Sequence, residues 1–184
     1  MFELFKKQAE AASAEVHRFP TIKETMDFIV RTLQLENIAD QAGSYAVWAD
    51  CPLLRSIDRE RLSGEVPGLK FDVSRETAAA SKIGITQMDW AIANTGSLAQ
   101  DSTDVAQRLA SSLPLIHIAI VATDRLLADL PALLTKVDNG KIGYLAVVTG
   151  PSRTADIERV LTVGVHGPER LIIVFSDDWG AADA

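Results

Sequence analysis

Soft metal ligands are scarce in this chain. It holds one cysteine, Cys51, and three histidines, His17, His117 and His166. One thiol cannot close an internal disulfide, nor supply the ligands of an iron–sulfur cluster or a structural zinc. The histidines show no zinc spacing. A single thiol is the usage of a reducing compartment, so the expected location is cytoplasmic. Positive charge is also short: 18 basic against 25 acidic residues give a net charge of −7. That excludes the clustered basic surface of a nucleic-acid groove and docking on anionic lipid. The three tryptophans, Trp48, Trp90 and Trp179, are scattered and do not indicate a base-stacking platform. Long apolar runs are missing too. "LPLIHIAIVAT" has strand length, well short of the ~20 residues of a membrane-spanning helix. The opening stretch, "MFELFKKQAEAASAEVHRF", is broken by Glu3, Glu10 and Glu15 and has no signal-like apolar core.

What remains is an ordinary globular composition, 47% hydrophobic and 23% charged over 184 residues, the size of one domain. Phe2, Phe5, Ala9, Ala12, Val16 and Phe19 recur at helical spacing, which predicts one amphipathic helix over 1–19, ended by Pro20. "TIKE" reads as a capping box, Thr21 capping and Glu24 reaching back, ahead of a second helix with Ile22, Met26, Ile29, Val30 and Leu33. Residues 1–40 are therefore expected as an N-terminal helical segment packed on the core, and 41–184 as an α/β domain.

Within 41–184, strands are predicted at 45–49, 68–73, 115–123, 142–148 and 170–176, with "SLAQ" a short extra strand. Helices are predicted at 52–62, after the Ser74 cap, at 86–94 with Gly96 as its stop, at 103–113, at 124–137 with a kink at Pro131, and at 154–163. The last third alternates strand and helix, and its strands are apolar on both faces. That pattern predicts a mostly parallel sheet flanked by helices.

Two stretches offer chemistry. "TGPSRTADIE" (149–158) leaves an apolar strand and opens a helix. In a parallel sheet this delivers Gly150, Ser152, Arg153 and Thr154 to the carboxyl edge, where free helix N–H groups, hydroxyls and a guanidinium suit a carboxylate or phosphate. The same residues also make a plain turn and cap, with Asp156 and Glu158 complementing the helix dipole. "ANTGSLAQDST" (93–103) presents Asn94, Thr95, Gly96 and Ser97. It lacks the lysine of a P-loop and the three glycines of a dinucleotide fingerprint, and reads equally as a helix stop and a turn. His117, in an apolar strand, reads as a core histidine. His166 and Gly167, in "VHGP", face a cleft or simply form a turn.

"AIANTGSLAQDSTDVAQRLASSLPLIHIAIV" and "GPSRTADIERVLTVGVHGPERLIIV", roughly residues 83–176, together resemble the LUD domain, the lactate-utilisation protein C family. The resemblance implies the α/β fold of sugar-phosphate isomerases and CoA transferases. It also implies a non-redox role beside iron–sulfur subunits that oxidise L-lactate to pyruvate, with the clusters in those partners and no cofactor in this chain. Where the family commonly shows Glu-Thr-Gly, this chain has Asn94-Thr95-Gly96, and asparagine is neither carboxylate base nor nucleophile. The expected function is thus binding of a small anion through Asn94, Thr95, Gly96, Ser97, Gly150, Ser152, Arg153, Thr154, His166 and Gly167. The alternatives are a stand-alone enzyme for a sugar phosphate or CoA thioester, and a regulatory or scaffold module with a vestigial pocket.

Overall fold

A computed structural model describes residues 1–138, 140–153 and 167–179. In chain order the elements are α1 (Phe2–Ala11), β1 (Glu15–Phe19), α2 (Ile22–Leu35), β2 (Tyr45–Trp48), α3 (Pro52–Arg55), α4 (Arg59–Glu65), β3 (Leu69–Lys70), α5 (Arg75–Ala79), β4 (Ser81–Gln87), β5 (Trp90–Ile92), β6 (Ser97–Asp101), α6 (Val105–Ser112), β7 (Ile116–Ala122), a 3-10 turn (Thr123–Arg125), β8 (Leu126–Leu127), α7 (Leu130–Leu134), β9 (Leu145–Val148) and β10 (Arg170–Ser176). Six strands form one sheet in the order β1-β10-β7-β4-β2-β3, and every pairing in it is parallel. A smaller sheet has the order β8-β5-β6-β9. The architecture is α/β, a parallel sheet flanked by helices.

Period-two alternation sorts the side chains of the central strands between two cores. Ile83, Ile85, Ile116, Ile118, Ile120, Ile172 and Val174 face Ile29, Leu33, Leu53 and Leu54 from α2 and α3. Ala119, Val121, Leu171, Ile173 and Phe175 face Phe5 and Ala9 of α1 and Leu98 of the small sheet. All seven residues of β7 are buried, as both-face covering requires.

Several local expectations are corrected. The helix over 1–19 stops at Ala11. Ser13 turns the chain with φ 70°, and Glu15–Phe19 joins the sheet as the edge strand beside β10. Residues 1–40 are therefore not helical throughout. Val16 and Phe19, three apart, fit a helical stripe, but in the strand they point to opposite faces, Val16 into the core under α1 and Phe19 into the core under α2; the hydrogen bonds offered by β10 decide for the strand. Thr21 does cap α2: its hydroxyl accepts the Glu24 N–H at 3.2 Å and donates to the Glu24 carboxylate at 3.1 Å.

Residues 86–94 are not a helix. They end β4 and form β5, whose hairpin partner is β6. In 124–137 only Leu130–Leu134 is α-helical. Asp129 caps it, and Pro131 sits in its first turn rather than at a kink. Residues 52–62 divide between two short helices, and 68–73 contributes only the two residues of β3. β9 is absent from the parallel sheet. It is the edge of the small sheet, antiparallel to β6, with Ala99 opposite Val147. The helix expected at 154–163 lies outside the described residues.

Candidate functional site

β2 and β4 are neighbours, yet their exits diverge: the chain after β2 runs towards β3 at one edge, and the chain after β4 runs towards β7 on the other side. Parallel strands whose connections part in this way leave a crevice at their carboxyl ends, the usual ligand position in an open α/β sheet. Two adjoining depressions open there. One, of about 210 Å³, has Gln87, Asp89, Trp90, Arg125 and Trp179 in its walls. The other, of about 350 Å³, shares Gln87 and Asp89 and is completed by Asp50, Arg55, Gln100, Asp101 and Gln107.

A glutamine chain lines the second depression and reaches the wall shared with the first through Gln87. Gln100 donates from Nε2 to the Gln87 carbonyl at 2.7 Å and to Gln107 Oε1 at 2.8 Å. Gln107 donates in turn to the Asp50 carbonyl at 2.8 Å. Gln87 Oε1 accepts the Leu53 N–H at 3.1 Å, and Gln100 Oε1 accepts the Ser102 hydroxyl at 3.1 Å. Each amide is engaged by neighbours from a different element, so the network ties β2, β4, β6, α3 and α6 together and holds the crevice rigid.

Asp89 stands on the first turn past β4 and is half-buried. Its Oδ2 accepts the Asp101 N–H at 2.6 Å. Burial pushes its carboxyl above the usual range; the Asp101 N–H bond opposes this, the Asp101 charge reinforces it, and Arg125 opposes it. Arg125 enters from the turn after β7. Its ion pair with adjacent Asp124 is loose, at 3.9 Å. Across the second depression, Asp50 is occupied by Arg55 at 2.7 Å and Arg59 at 2.5 Å, and the Arg55 bond foremost holds its carboxyl below the usual range. Cys51 caps α3, its sulfur accepting the Leu54 N–H at 3.4 Å, and burial raises its thiol. Chemically, the first depression offers one loosely paired guanidinium, one carboxyl that resists ionisation and two indole walls: a fit for a small organic acid.

The candidates from the sequence lie elsewhere. The stretches 94–97 and 149–153 do meet: Ser97 Oγ donates to Thr95 Oγ1 at 2.8 Å and lies 2.7 Å from Thr149 Oγ1. They meet at the far tip of the β5–β6 hairpin, roughly 15 Å from Asp89 at the usual rise per strand residue. Asn94 is exposed and donates its backbone N–H to the Ala128 carbonyl at 3.1 Å.

Gly96 and Gly150 have φ of +66° and +69°, and both press on the end of α1. A Cβ on Gly96 would lie 2.2 Å from Ala9 N, and one on Gly150 would lie 2.2 Å from the Ala12 carbonyl oxygen. Ser152 donates its N–H to the Pro168 carbonyl at 2.8 Å, and Gly167 approaches the Ser152 side chain. Arg153 is exposed and donates to Ser13 Oγ at 3.3 Å. Because β9 is an antiparallel edge strand, "TGPSR" does not reach the carboxyl edge of the parallel sheet; Gly150, Ser152 and Gly167 instead line a separate open depression of about 440 Å³ with Arg108, Tyr144 and Thr149. Thr154 and His166 lie outside the described residues. His117 is a core histidine, its Nε2 2.8 Å from the Thr86 hydroxyl.

Asp89, Arg125, Gln87 and Trp179 were not singled out from sequence. Their signal was simple: each lies at or just past the carboxyl end of a sheet strand. Reading 86–94 as a helix hid the end of β4, and reading 124–137 as a helix hid the turn after β7.

The LUD domain model matches residues 2–176. The chain belongs to the LUD domain family. A Lactate utilization protein C of Exiguobacterium sp. is 38% identical over 113 residues, 58% of this chain and 49% of that protein. One from Geobacillus sp. is 29% identical, covering 92% of this chain and 78% of the relative. Over the first of these similarities, and others like it, the chain spans about half the length of the curated relatives it matches. A crystal structure of a DUF162 family protein from Deinococcus radiodurans superposes with a TM-score of 0.65 at 18% identity, covering 95% of each chain. This LUD domain thus shares its fold with that structure. Among the described residues, no helix is long and apolar enough to cross a membrane, and no cluster of three or more His, Cys, Asp or Glu is arranged to hold a metal ion.

Proposed function

We propose that this LUD domain is a non-redox component of a lactate-utilising system and binds a small carboxylate, of the lactate and pyruvate class, in the crevice past the carboxyl ends of β4, β7 and β10. One observation carries the reading: the crevice at the sheet's switch point holds Arg125, loosely paired, beside Asp89 in a space of about 210 Å³. That volume lies below the range typical of drug-sized ligands. The names of the similar proteins supply the pathway. Arg125 takes the carboxylate in a forked pair, Trp90 and Trp179 flank the carbon chain, and the glutamine network keeps the geometry. The lining carboxyls Asp50, Asp89, Asp101 and Asp104 weigh against a phosphate or a CoA pyrophosphate, which needs several cations.

In the same reading, electron transfer belongs to iron–sulfur subunits that associate with this chain. The one thiol here is engaged as a helix cap and cannot ligate a cluster by itself. Titration calorimetry with sodium L-lactate and pyruvate tests the binding claim. Wild type is expected to bind, and Arg125→Gln to lose at least tenfold in affinity, since charge-assisted bonds contribute about 1.5–3 kcal/mol. Absence of binding by wild type refutes the site. Purification from native extract under gentle conditions tests the partners: a cysteine-rich iron–sulfur protein in stable stoichiometry is expected, and its absence counts against the assembly.

A further inference from the structure

We propose that the crevice takes up its carboxylate ligand together with one proton, and that Asp89 holds that proton on Oδ1. The inference rests on the binding reading above and adds to it the protonation state of the occupied site.

Charged groups face Asp89 from several elements. From β6 comes Asp101, whose N–H bonds Asp89 Oδ2 at 2.6 Å. From the turn after β7 comes Arg125. The chain after β10 supplies Trp179, and β4 itself supplies Gln87, neither of them charged. Across the shared wall, Asp50 is already neutralised by Arg55 and Arg59, and Asp104 is occupied as the cap of α6, accepting the Ala106 N–H at 2.9 Å. Among the described residues, one guanidinium therefore serves the first depression. When empty, it faces Asp89. When a ligand carboxylate enters, two like charges share one cation in a small, partly dry space. Such a pair does not stay doubly ionised; the arrangement keeps one proton between them.

The geometry then selects the carrier. Among the described residues Arg125 makes only the loose pair with Asp124, which leaves a fork suited to the ligand's two oxygens, so the ligand remains the anion. Asp89 has Oδ2 committed to a backbone donor, while Oδ1 has no hydrogen-bond partner among the described residues. A proton on Oδ1 turns that oxygen into a donor for the ligand, replacing repulsion by a hydrogen bond. The proton comes from solvent as the O–H bond on Asp89 forms and returns to solvent when that bond breaks on release; no other covalent bond changes. Burial of Asp89 acts in the same direction.

The test is calorimetry with sodium L-lactate on the full chain from about pH 5.5 to about pH 9, in two buffers of different ionisation enthalpy, which reads protons taken up per ligand bound. Wild type is expected to take up close to one proton per lactate at the alkaline end, with affinity falling up to tenfold per pH unit there. Asp89→Asn keeps the Asp101 bond through its amide oxygen and is expected to bind lactate with no proton uptake and a flat pH profile. Infrared difference spectra give an independent signature: a protonated-carboxyl band that appears when lactate binds wild type and is missing in Asp89→Asn. Lactate binding by wild type without proton uptake, or unchanged uptake in Asp89→Asn, overturns the inference and leaves the binding reading standing. No lactate binding at any pH overturns both.

Discussion

Acidifying the protein from about pH 7.5 to about pH 5 should remove roughly 2 kcal/mol of its stability through His117 alone. The residue is 1% exposed at the second position of β7, with the Thr86 hydroxyl as its partner among the described residues, and burial lowers its pKa from 6.5 to about 4. Between these values the unfolded chain binds a proton that the folded chain refuses. The contribution is therefore fully present above pH 6.5, declines as pH falls through the window, and levels off below about pH 4. The full span of the shift corresponds to about 3 kcal/mol, of which about 2 kcal/mol is lost by about pH 5.

Urea unfolding reads this directly. With a slope of about 2 kcal/mol/M, the midpoint should drop by about 1 M across that interval. Other titrating groups contribute as well: His17 with the same sign, and Asp89 with the opposite one because its carboxyl is raised. Comparison with His117→Gln cancels them, since glutamine keeps a hydrogen-bonding partner for Thr86 and cannot titrate. The variant should be less stable than wild type at about pH 7.5 and much closer to it at about pH 5. Parallel pH profiles for the two proteins would refute the reasoning.

Three further outcomes follow from the packing. Gly96→Ala should lower stability by about 2 kcal/mol or more, because alanine is strained at φ +66° and its Cβ meets the α1 backbone; thermal melts check this, and an unchanged midpoint would show that α1 does not seat there. Thr21→Ala should cost about 1 kcal/mol by removing the cap of α2, measured by urea unfolding. Arg153→Ala, at an exposed residue whose one bond among the described residues is the 3.3 Å contact with Ser13, should change stability by less than about 0.5 kcal/mol and leave lactate affinity as it is; a loss of lactate binding would move the site to the hairpin tip.

The strongest elements were legible because one local pattern determined each. Residues 116–122 and 170–176 are apolar at nearly every position, which admits only strands covered on both faces. Thr21 with Glu24, and Asp104 before "VAQRLASS", announce helix starts through side chains that reach no further than one turn. The illegible elements carry two patterns at once. Val16 and Phe19 extend the stripe of α1, while as strand residues they serve the two opposite faces of a sheet that is covered on both. Met88 and Ala91 are three apart, as on a helix, though they lie on either side of a strand boundary.

The candidate site divides along the same line. Composition alone bounded part of it: one cysteine can neither close an internal disulfide nor hold a cluster by itself. The motif resemblance named the family, since two long stretches carry it. Which strand ends lie side by side is another matter. β4 meets β2 and β7 through hydrogen bonds between residues far apart in sequence, and nothing in "QMDW" states who those neighbours are. The tertiary structure placed β9 in the smaller sheet, moved "TGPSR" onto the end of α1, and gathered Asp89, Arg125 and Trp179 around one crevice. Local patterns set which residues become strand, helix or cap; long-range strand pairing alone sets which of their ends share a hollow.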